Sequence, residues 1–312
     1  MSDLKLFSLH GNRVNELKGQ AANLEKDLQN LIEANMETFL GVRFLAREYT
    51  TGKTHKGRID SLGLDENNAP VIIEYKRHQN ENVINQGLFY LDWLMDHQAE
   101  IQLLTQQKLG AEVAEQIEWA GTRLVCIASG FNRYDEYAVQ QIERNIDLMR
   151  YRYFGEDLIA LELVHAHDAD VTSTPVKISK PNTAEAPIKA KRNVDKTQAE
   201  RIAVASPELT ALYDSLCTYA EQLGDEVQRK ELKLYTAFKL IKNFVCVIVL
   251  PQKKDPRVQL TLKLPGEDSS DGFTQDGSNK GHWGTGDLLV DVRSADELER
   301  AKALILKSYE NA

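Results

Sequence analysis

Cysteine is scarce in this chain and does not cluster. The three cysteines, Cys126, Cys217 and Cys246, form no CxxC pair. A disulfide scaffold and a zinc ribbon are therefore excluded, and the thiols read as ordinary buried ones in a reducing cytoplasm. The seven histidines are scattered, with no HExxH, which removes the zincin class. His165 and His167 form an isolated pair in linker-like sequence and carry no role. There is no P-loop and no GxSxG. Long apolar runs are missing too. The longest, Phe244 to Leu250, has seven residues, a strand's length and far short of the roughly 20 that span a bilayer, so no membrane partner is expected. No signal-peptide pattern follows Met1-Ser2-Asp3. Positive charge is in deficit: the formal net charge is −9, which argues against coating nucleic acid by bulk charge and leaves open a local field at a site.

What is present points to two domains, because 312 residues with 42% hydrophobic content exceed one typical core. Residues 1 to 16 have weak periodicity and read as a short helix or arm. Leu24, Leu28, Leu31 and Ile32 recur at helical spacing within a first helix from Gln20 to Glu37, with Glu25 on the face of Gln29 and Ile32. Gly41 to Thr50 reads as a strand, Asn80 to Gln98 as a second helix, and Glu100 to Trp119 as a helix with a break at Gly110. Thr122 to Ala128 reads as a buried strand, Asp135 to Asn145 as a helix, and 146–154 and 157–164 as paired strands. Tyr90, Trp93 and Phe89 read as core. Residues 166–205 change character: Pro175, Pro181 and Pro187 with Thr, Ser, Ala and Lys replace the apolar period, as in an extended linker. Ser206-Pro207-Glu208 is a helix start and opens a small α+β domain, 206–312, with strands around 238–250, 257–264 and 288–292 and a terminal helix 295–309.

The stretch with chemical content is Gly57 to Arg77, GRIDSLGLDENNAPVIIEYKR. It reads as a β-hairpin that turns at Asp65-Glu66-Asn67-Asn68, followed by the β-forming run Val71-Ile72-Ile73. A turn centred on Asn67 sets Asp60 opposite Glu74, with Glu74 and Lys76 on one face. Cross-strand partners have Cβ atoms about 4.5–5.5 Å apart. Two carboxylates at that spacing repel and call for a cation between them, a metal or a lysine. Arg43, Arg47, Lys53, Lys56 and Arg58 precede Asp60 with only Glu48 opposing them. They read either as a charged strand edge or as phosphate contacts.

These residues carry a resemblance. Asp60 with Glu74-Tyr75-Lys76 resembles the D…ExK signature of the PD-(D/E)XK nuclease superfamily. Glu25 in Leu24-Glu25-Lys26-Asp27-Leu28 is similar to its first-helix glutamate. Gly57-Arg58-Ile59-Asp60 resembles the GxID entry of the mismatch-type endonuclease branch, and Gln86 with Tyr90 its QxxxY helix. The resemblance covers about residues 20–165; Tyr75 departs from the smaller aliphatic usual there. It implies a restriction-endonuclease-like α/β fold, a mixed sheet flanked by helices, in a nuclease-like domain 1–165. It also implies Mg²⁺ or Mn²⁺ held by Asp60, Glu74 and the Tyr75 carbonyl, Lys76 orienting water or neutralising charge, Gln86 positioning Glu74 or Lys76, Tyr90 bracing a phosphate, and Glu25 beyond the metal ligands. Arg47, Lys56, Arg58 and Arg77 are the expected DNA contacts. Residues 206–312, with Lys253-Lys254 and the loop Lys280 to Asp287, resemble an uncharacterised C-terminal domain attached to such modules. That loop reads either as a glycine-permitted turn or as a recognition loop with Trp283 stacking.

The leading expectation is a cytoplasmic, metal-dependent DNA endonuclease of a repair or defence system. The alternative is a nuclease-fold module that binds nucleic acid or a partner protein with catalysis weak or lost. A third reading is a scaffold whose C-terminal domain docks a protein partner. A homodimer is compatible with each.

Overall fold

A computed structural model describes residues 4–52, 57–77, 83–167, 196–266, 268–278 and 284–312. The chain divides into two compact units, Met1–Ala169 and Asp170–Ala312. Most of the expected linker, 168–195, lies outside the described residues, as do Lys53, Lys56 and the loop segment 279–283 with Trp283.

The first unit opens with a hairpin, β1 (Leu6–His10) and β2 (Arg13–Leu17), where a helix or arm was expected. The Gly-Asn turn decides this, because Gly11 takes φ 60°, a conformation that suits glycine and ends a helix. A two-residue strand β3 (Gly19–Gln20) follows. The first helix is shorter than expected and broken in two: α1 (Glu25–Ala34) and α2 (Met36–Leu40), with Asn35 out of helical geometry between them. Then come β4 (Val42–Thr50), β5 (Arg58–Asp65), β6 (Pro70–Lys76), α3 (Val83–Asp96), α4 (Gln98–Leu109), α5 (Ala111–Glu115), β7 (Arg123–Ala128), α6 (Arg133–Gln140), β8 (Asn145–Phe154) and β9 (Leu158–His167).

Strands β4, β5, β6, β7 and β8 are hydrogen-bonded in that order, and β8 also pairs with β3 and β9. Pairings β6–β7 and β7–β8 are parallel; β4–β5–β6 and β8–β9 are antiparallel. Every residue of β7 is buried, as a parallel strand covered on both faces requires. One face packs Leu62, Ile72, Leu124 and Cys126 under α3, through Ile84, Leu91 and Leu94. On the other, Ser61 Oγ donates to Glu33 of α1 (2.6 Å). This mixed sheet flanked by helices is the expected fold class. Trp93 and Tyr90 are core, but Phe89 is 45% exposed, because it lies on the side of α3 turned from the sheet.

The turn of the β5–β6 hairpin is locked by a buried ion cluster. Asp65 Oδ1 accepts the N–H groups of Asn67 (2.8 Å) and Ala69 (2.9 Å). Its other oxygen meets the Arg123 guanidinium, which also lies 3.1 Å from Asp147.

In the second unit, β10 (Gln228–Glu231), β11 (Thr236–Lys239), β12 (Asn243–Leu250), β13 (Arg257–Leu262), β15 (Leu288–Val292) and β14 (Thr274–Asp276) form an antiparallel sheet in that order. Helices α8 (Pro207–Glu221) and α9 (Ala295–Glu310) bury Leu209, Tyr213, Leu216 and Ile305 against Val245, Val247 and Val249. Ser206 caps α8, as expected. Ordered chain begins before residue 206, however. Helix α7 (Gln198–Ala203) is capped by Thr197, and the Gln198 amide donates to Val247 O (3.1 Å) and accepts from Val249 N (3.2 Å). It thus stands in for a strand beside β12. Polar and alanine-rich composition hid this segment, because its anchor is a hydrogen-bonding side chain and not an apolar stripe. Among the described residues no helix is long and apolar enough to cross a membrane.

Removing one member of a buried ion cluster strands the others. Arg123→Ala is expected to lower unfolding stability by roughly 3–5 kcal/mol, read as a reduced urea midpoint. A loss below about 1 kcal/mol would deny the cluster its structural role.

Candidate active site

Strands β5 and β6 pair in register from Leu64↔Pro70 to Ser61↔Ile73. One step further, side chains tie the strands together. The Asp60 N–H donates to Glu74 Oε1 (3.1 Å), and the Tyr75 N–H donates to Asp60 Oδ2 (3.1 Å). Each carboxylate thus accepts a peptide N–H of the opposite strand, and the two acids are held together as the hairpin reading requires. The Asp60 carbonyl turns to the first helix and accepts from Gln29 Nε2 (2.9 Å).

Glu74 is fully buried. It follows Val71-Ile72-Ile73 and lies opposite Cys126 in the parallel register with β7, so the strand's own apolar pattern carries it inside. Its Oε2 atom has no hydrogen-bond partner. Burial first, and the Asp60 charge second, raise the Glu74 carboxyl to about 9. Burial also raises Asp60, against the opposing effects of the Tyr75 N–H and the Lys76 charge. Burial is thus the leading cause that holds both carboxyls above their ordinary range, and for Glu74 the Asp60 charge adds to it.

Lys76 supplies part of that charge. Its ammonium lies 3.5 Å from Glu25 Oε1, with the side chain 13% exposed. Glu25 Oε2 accepts the Arg77 N–H (3.2 Å). Glu25 is therefore paired with Lys76, the lysine two residues beyond Glu74 on β6. The first turn of α1 in this way grips the end of β6.

Gln86 sits elsewhere than expected. Its Nε2 donates to the Tyr90 hydroxyl (3.3 Å), which also accepts the Arg58 N–H (3.2 Å), so Gln86 reaches the hairpin through Tyr90 and not through Glu74 or Lys76. The cause is i, i+4 geometry on one helix face. Tyr90 braces the start of β5 at Arg58. It also explains Gly57, where a Cβ would lie 2.3 Å from the Tyr90 ring. Tyr75 is fully buried with its hydroxyl unpartnered, so the large residue at this position fills the core under the hairpin.

The expected DNA contacts divide. Arg47 is bound to Glu33 and, through Nη2, to Asn30 Oδ1 (2.6 Å), which turns it to α1. Arg58 is 62% exposed by side chain and lies 3.4 Å from Glu48, which also holds Lys26 (2.6 Å). Arg77 is exposed, and Lys56 is outside the described residues.

The residue that sequence reasoning passed over is Gln29. It is buried and shares its amide between the Asp60 carbonyl and Glu33 Oε1, both at 2.9 Å. A signal existed, since Gln29 follows Glu25 by four and lies on its helical face. Cys126 was likewise read only as a buried thiol. Burial pushes it up, and Glu74 adds to the shift, so it is an inert neighbour of the pair and no nucleophile. Among the described residues no three His, Cys, Asp or Glu side chains gather as a metal cage. A site here would rest on two carboxylates and a backbone carbonyl.

Comparison with known proteins places this geometry in context. Residues 24–126 match the Endonuclease NucS C-terminal domain, and residues 198–312 match a domain of unknown function, DUF5655. An uncharacterized protein from Haemophilus influenzae is 27% identical over 311 residues, covering 99% of this chain and all of that one. Among solved structures, a repair endonuclease from Pyrococcus abyssi aligns at 19% identity over 44% of this chain and 50% of that one, with a TM-score of 0.28. The EndoMS–dsDNA complex aligns at 19% identity over 40% of this chain and 44% of that one, with a TM-score of 0.25. The stretch that carries Glu25, Asp60, Glu74, Lys76, Gln86 and Tyr90 thus falls inside the nuclease-domain match.

Proposed function

We propose that this protein is a metal-dependent DNA endonuclease of the PD-(D/E)XK type, with Asp60, Glu74 and Lys76 at its centre. The observation that carries the reading is the pair of carboxylates held together by exchanged peptide N–H groups, one of them buried with a free oxygen. It is supported by the match of residues 24–126 to a nuclease domain.

The donor set suits a hard divalent cation. Mg²⁺ takes oxygen ligands and keeps several waters, so one or two carboxylates suffice. Asp60, Glu74 and the Tyr75 carbonyl would hold it. When bound, such an ion polarises a phosphoryl oxygen and lowers the pKa of its water. The chain's own residues do the rest. Lys76, steadied by Glu25, places a positive charge beside the reacting phosphate, where charge develops. Gln86 and Tyr90 fix the strand that carries Asp60. Arg58 and Arg77, both exposed beyond the carboxylate pair at the open end of the hairpin, meet the DNA backbone and set its register.

A second reading, a nuclease-fold module that binds nucleic acid or a protein without cutting, is favoured by the pairing of Lys76 with Glu25, which draws its charge from the carboxylate pair. The two part on cleavage. Incubation with labelled single-stranded, double-stranded, branched and mismatched DNA in Mg²⁺ or Mn²⁺ should yield cleavage. Binding without cleavage on every substrate would select the module.

Lys76→Ala and Asp60→Asn are expected to lower cleavage by about 10²–10³-fold with DNA binding nearly intact. Arg58→Ala should weaken binding and reduce its salt slope by about one unit. Wild-type cleavage by Lys76→Ala would remove the lysine from the chemistry.

The raised Glu74 carboxyl also makes stability depend on pH. A carboxyl whose folded pKa lies above its unfolded value of 4.5 favours the fold while neutral. Its contribution is full below that value and fades as pH rises toward about 9. Without divalent cations, the melting temperature should fall more steeply between about pH 5.5 and 8.5 for the wild type than for Glu74→Gln. Mg²⁺ should flatten the wild-type curve. Equal slopes for the two proteins would place Glu74 in an ordinary environment.

A further inference from the structure

We propose that Gln29 is a positioning residue for this carboxylate centre: its side-chain amide clamps the Asp60 peptide and so sets the direction of the Asp60 carboxylate. The inference rests on the metal-site reading above and adds to it a residue outside the D…ExK pattern.

Three observations carry it. First, the peptide at Asp60 is held by side chains. Its N–H goes to Glu74, and its carbonyl goes to Gln29. What fixes that peptide therefore fixes where the carboxylate points. Second, the Gln29 amide has one workable orientation. Both of its neighbours, the Asp60 carbonyl and Glu33 Oε1, are acceptors at 2.9 Å, so the NH₂ must face them, and a flipped amide would set oxygen against two oxygens. Third, the clamp is itself anchored. Glu33 also accepts from Ser61 Oγ (2.6 Å) and is bound by Arg47. Ser61 is the residue after Asp60, so α1 holds consecutive residues of β5 at the point where the paired register stops.

The chemistry gives this a consequence. Mg²⁺ demands near-ideal octahedral geometry. A carboxylate free to swing loses affinity for it, and groups that orient ligands typically matter by about 10–100-fold.

The test uses the full chain and Gln29→Met, which keeps length and apolar packing and removes the donor. Mn²⁺ and Mg²⁺ binding is measured by calorimetry without DNA, stability by urea unfolding, and kcat and KM on a labelled substrate that the wild type cuts. Asn30→Ala, on the same helix and bonded to Arg47, is the control. The expected result is a fall in cation affinity of about 10–100-fold, with kcat falling and KM for DNA unchanged, and partial recovery of rate at high Mn²⁺. Asn30→Ala should match the wild type. A merely structural role would lower stability and leave cation affinity alone. Wild-type cation affinity in Gln29→Met, or an equal loss in Asn30→Ala, overturns the proposal while leaving the nuclease reading in place. If Gln29→Met does not fold, Gln29→Asn, which draws the amide back by one methylene, must show the same loss of affinity; wild-type affinity in that variant overturns the proposal. A wild type that neither binds cations nor cuts DNA would instead fail the nuclease reading and take this inference with it.

Discussion

The N-terminal unit depends on an exchange. Asp60 and Glu74 each accept a peptide N–H from the other's strand, where two such strands would ordinarily bond backbone to backbone. A buried carboxylate with no donor is costly. Giving each acid one peptide N–H makes their burial tolerable and fixes their separation. Other features serve this arrangement. Parallel β7 closes the far edge of β6, α1 takes the Asp60 carbonyl through Gln29, and the turn at the other end of the hairpin is pinned by Asp65 and Arg123.

The exchange leaves a shortage of positive charge. Lys76 is drawn both to Glu25 and toward the pair. Arg47 faces Glu33, and Arg58 faces Glu48. Two members of the basic run before Asp60, Arg47 and Arg58, are thus matched by acids from α1 and β4. The local field is consequently less positive than the residue count suggests. This agrees with the overall acidity of the chain.

Much of this was legible in the sequence, for reasons particular to each element. The hairpin was readable because Asp65 to Asn68 is turn chemistry between two β-forming runs, and period two then dictates which residues share a face. Strand β7 was readable from an unbroken apolar run. The N-terminal hairpin was not, because Phe7 and Leu9 alternate but are exposed, so no buried face produced a pattern. The route of Gln86 was illegible for another cause. Spacing shows that Gln86 and Tyr90 share a helix face, yet the partner that wins is decided by distance, and the nearby hydroxyl prevails. Gln29 was visible as a polar residue beside a stripe. Its role required knowing that a backbone carbonyl, which no sequence pattern marks, lies over it.

The rest of the molecule supplies the comparison that singles the site out. Four carboxylates among the described residues are buried: Asp65, Glu74, Asp147 and Asp291. Asp65 and Asp147 share the Arg123 guanidinium, and Asp291 lies 3.0 Å from Arg257 and 3.1 Å from Arg293. Those three follow the ordinary rule that a buried charge is paired. Glu74 breaks it: its near neighbour is a second carboxyl, one of its oxygens is unbonded, and its proton is held far above the usual range. A chain that places guanidinium groups against three buried acids has the means to neutralise a fourth. An arginine beside Glu74 would fill the space with a fixed cation and draw its carboxyl back toward the ordinary range. Leaving Lys76 as the near cation and one Glu74 oxygen unbonded is a stability penalty concentrated at one point, which is where sites of chemistry are found.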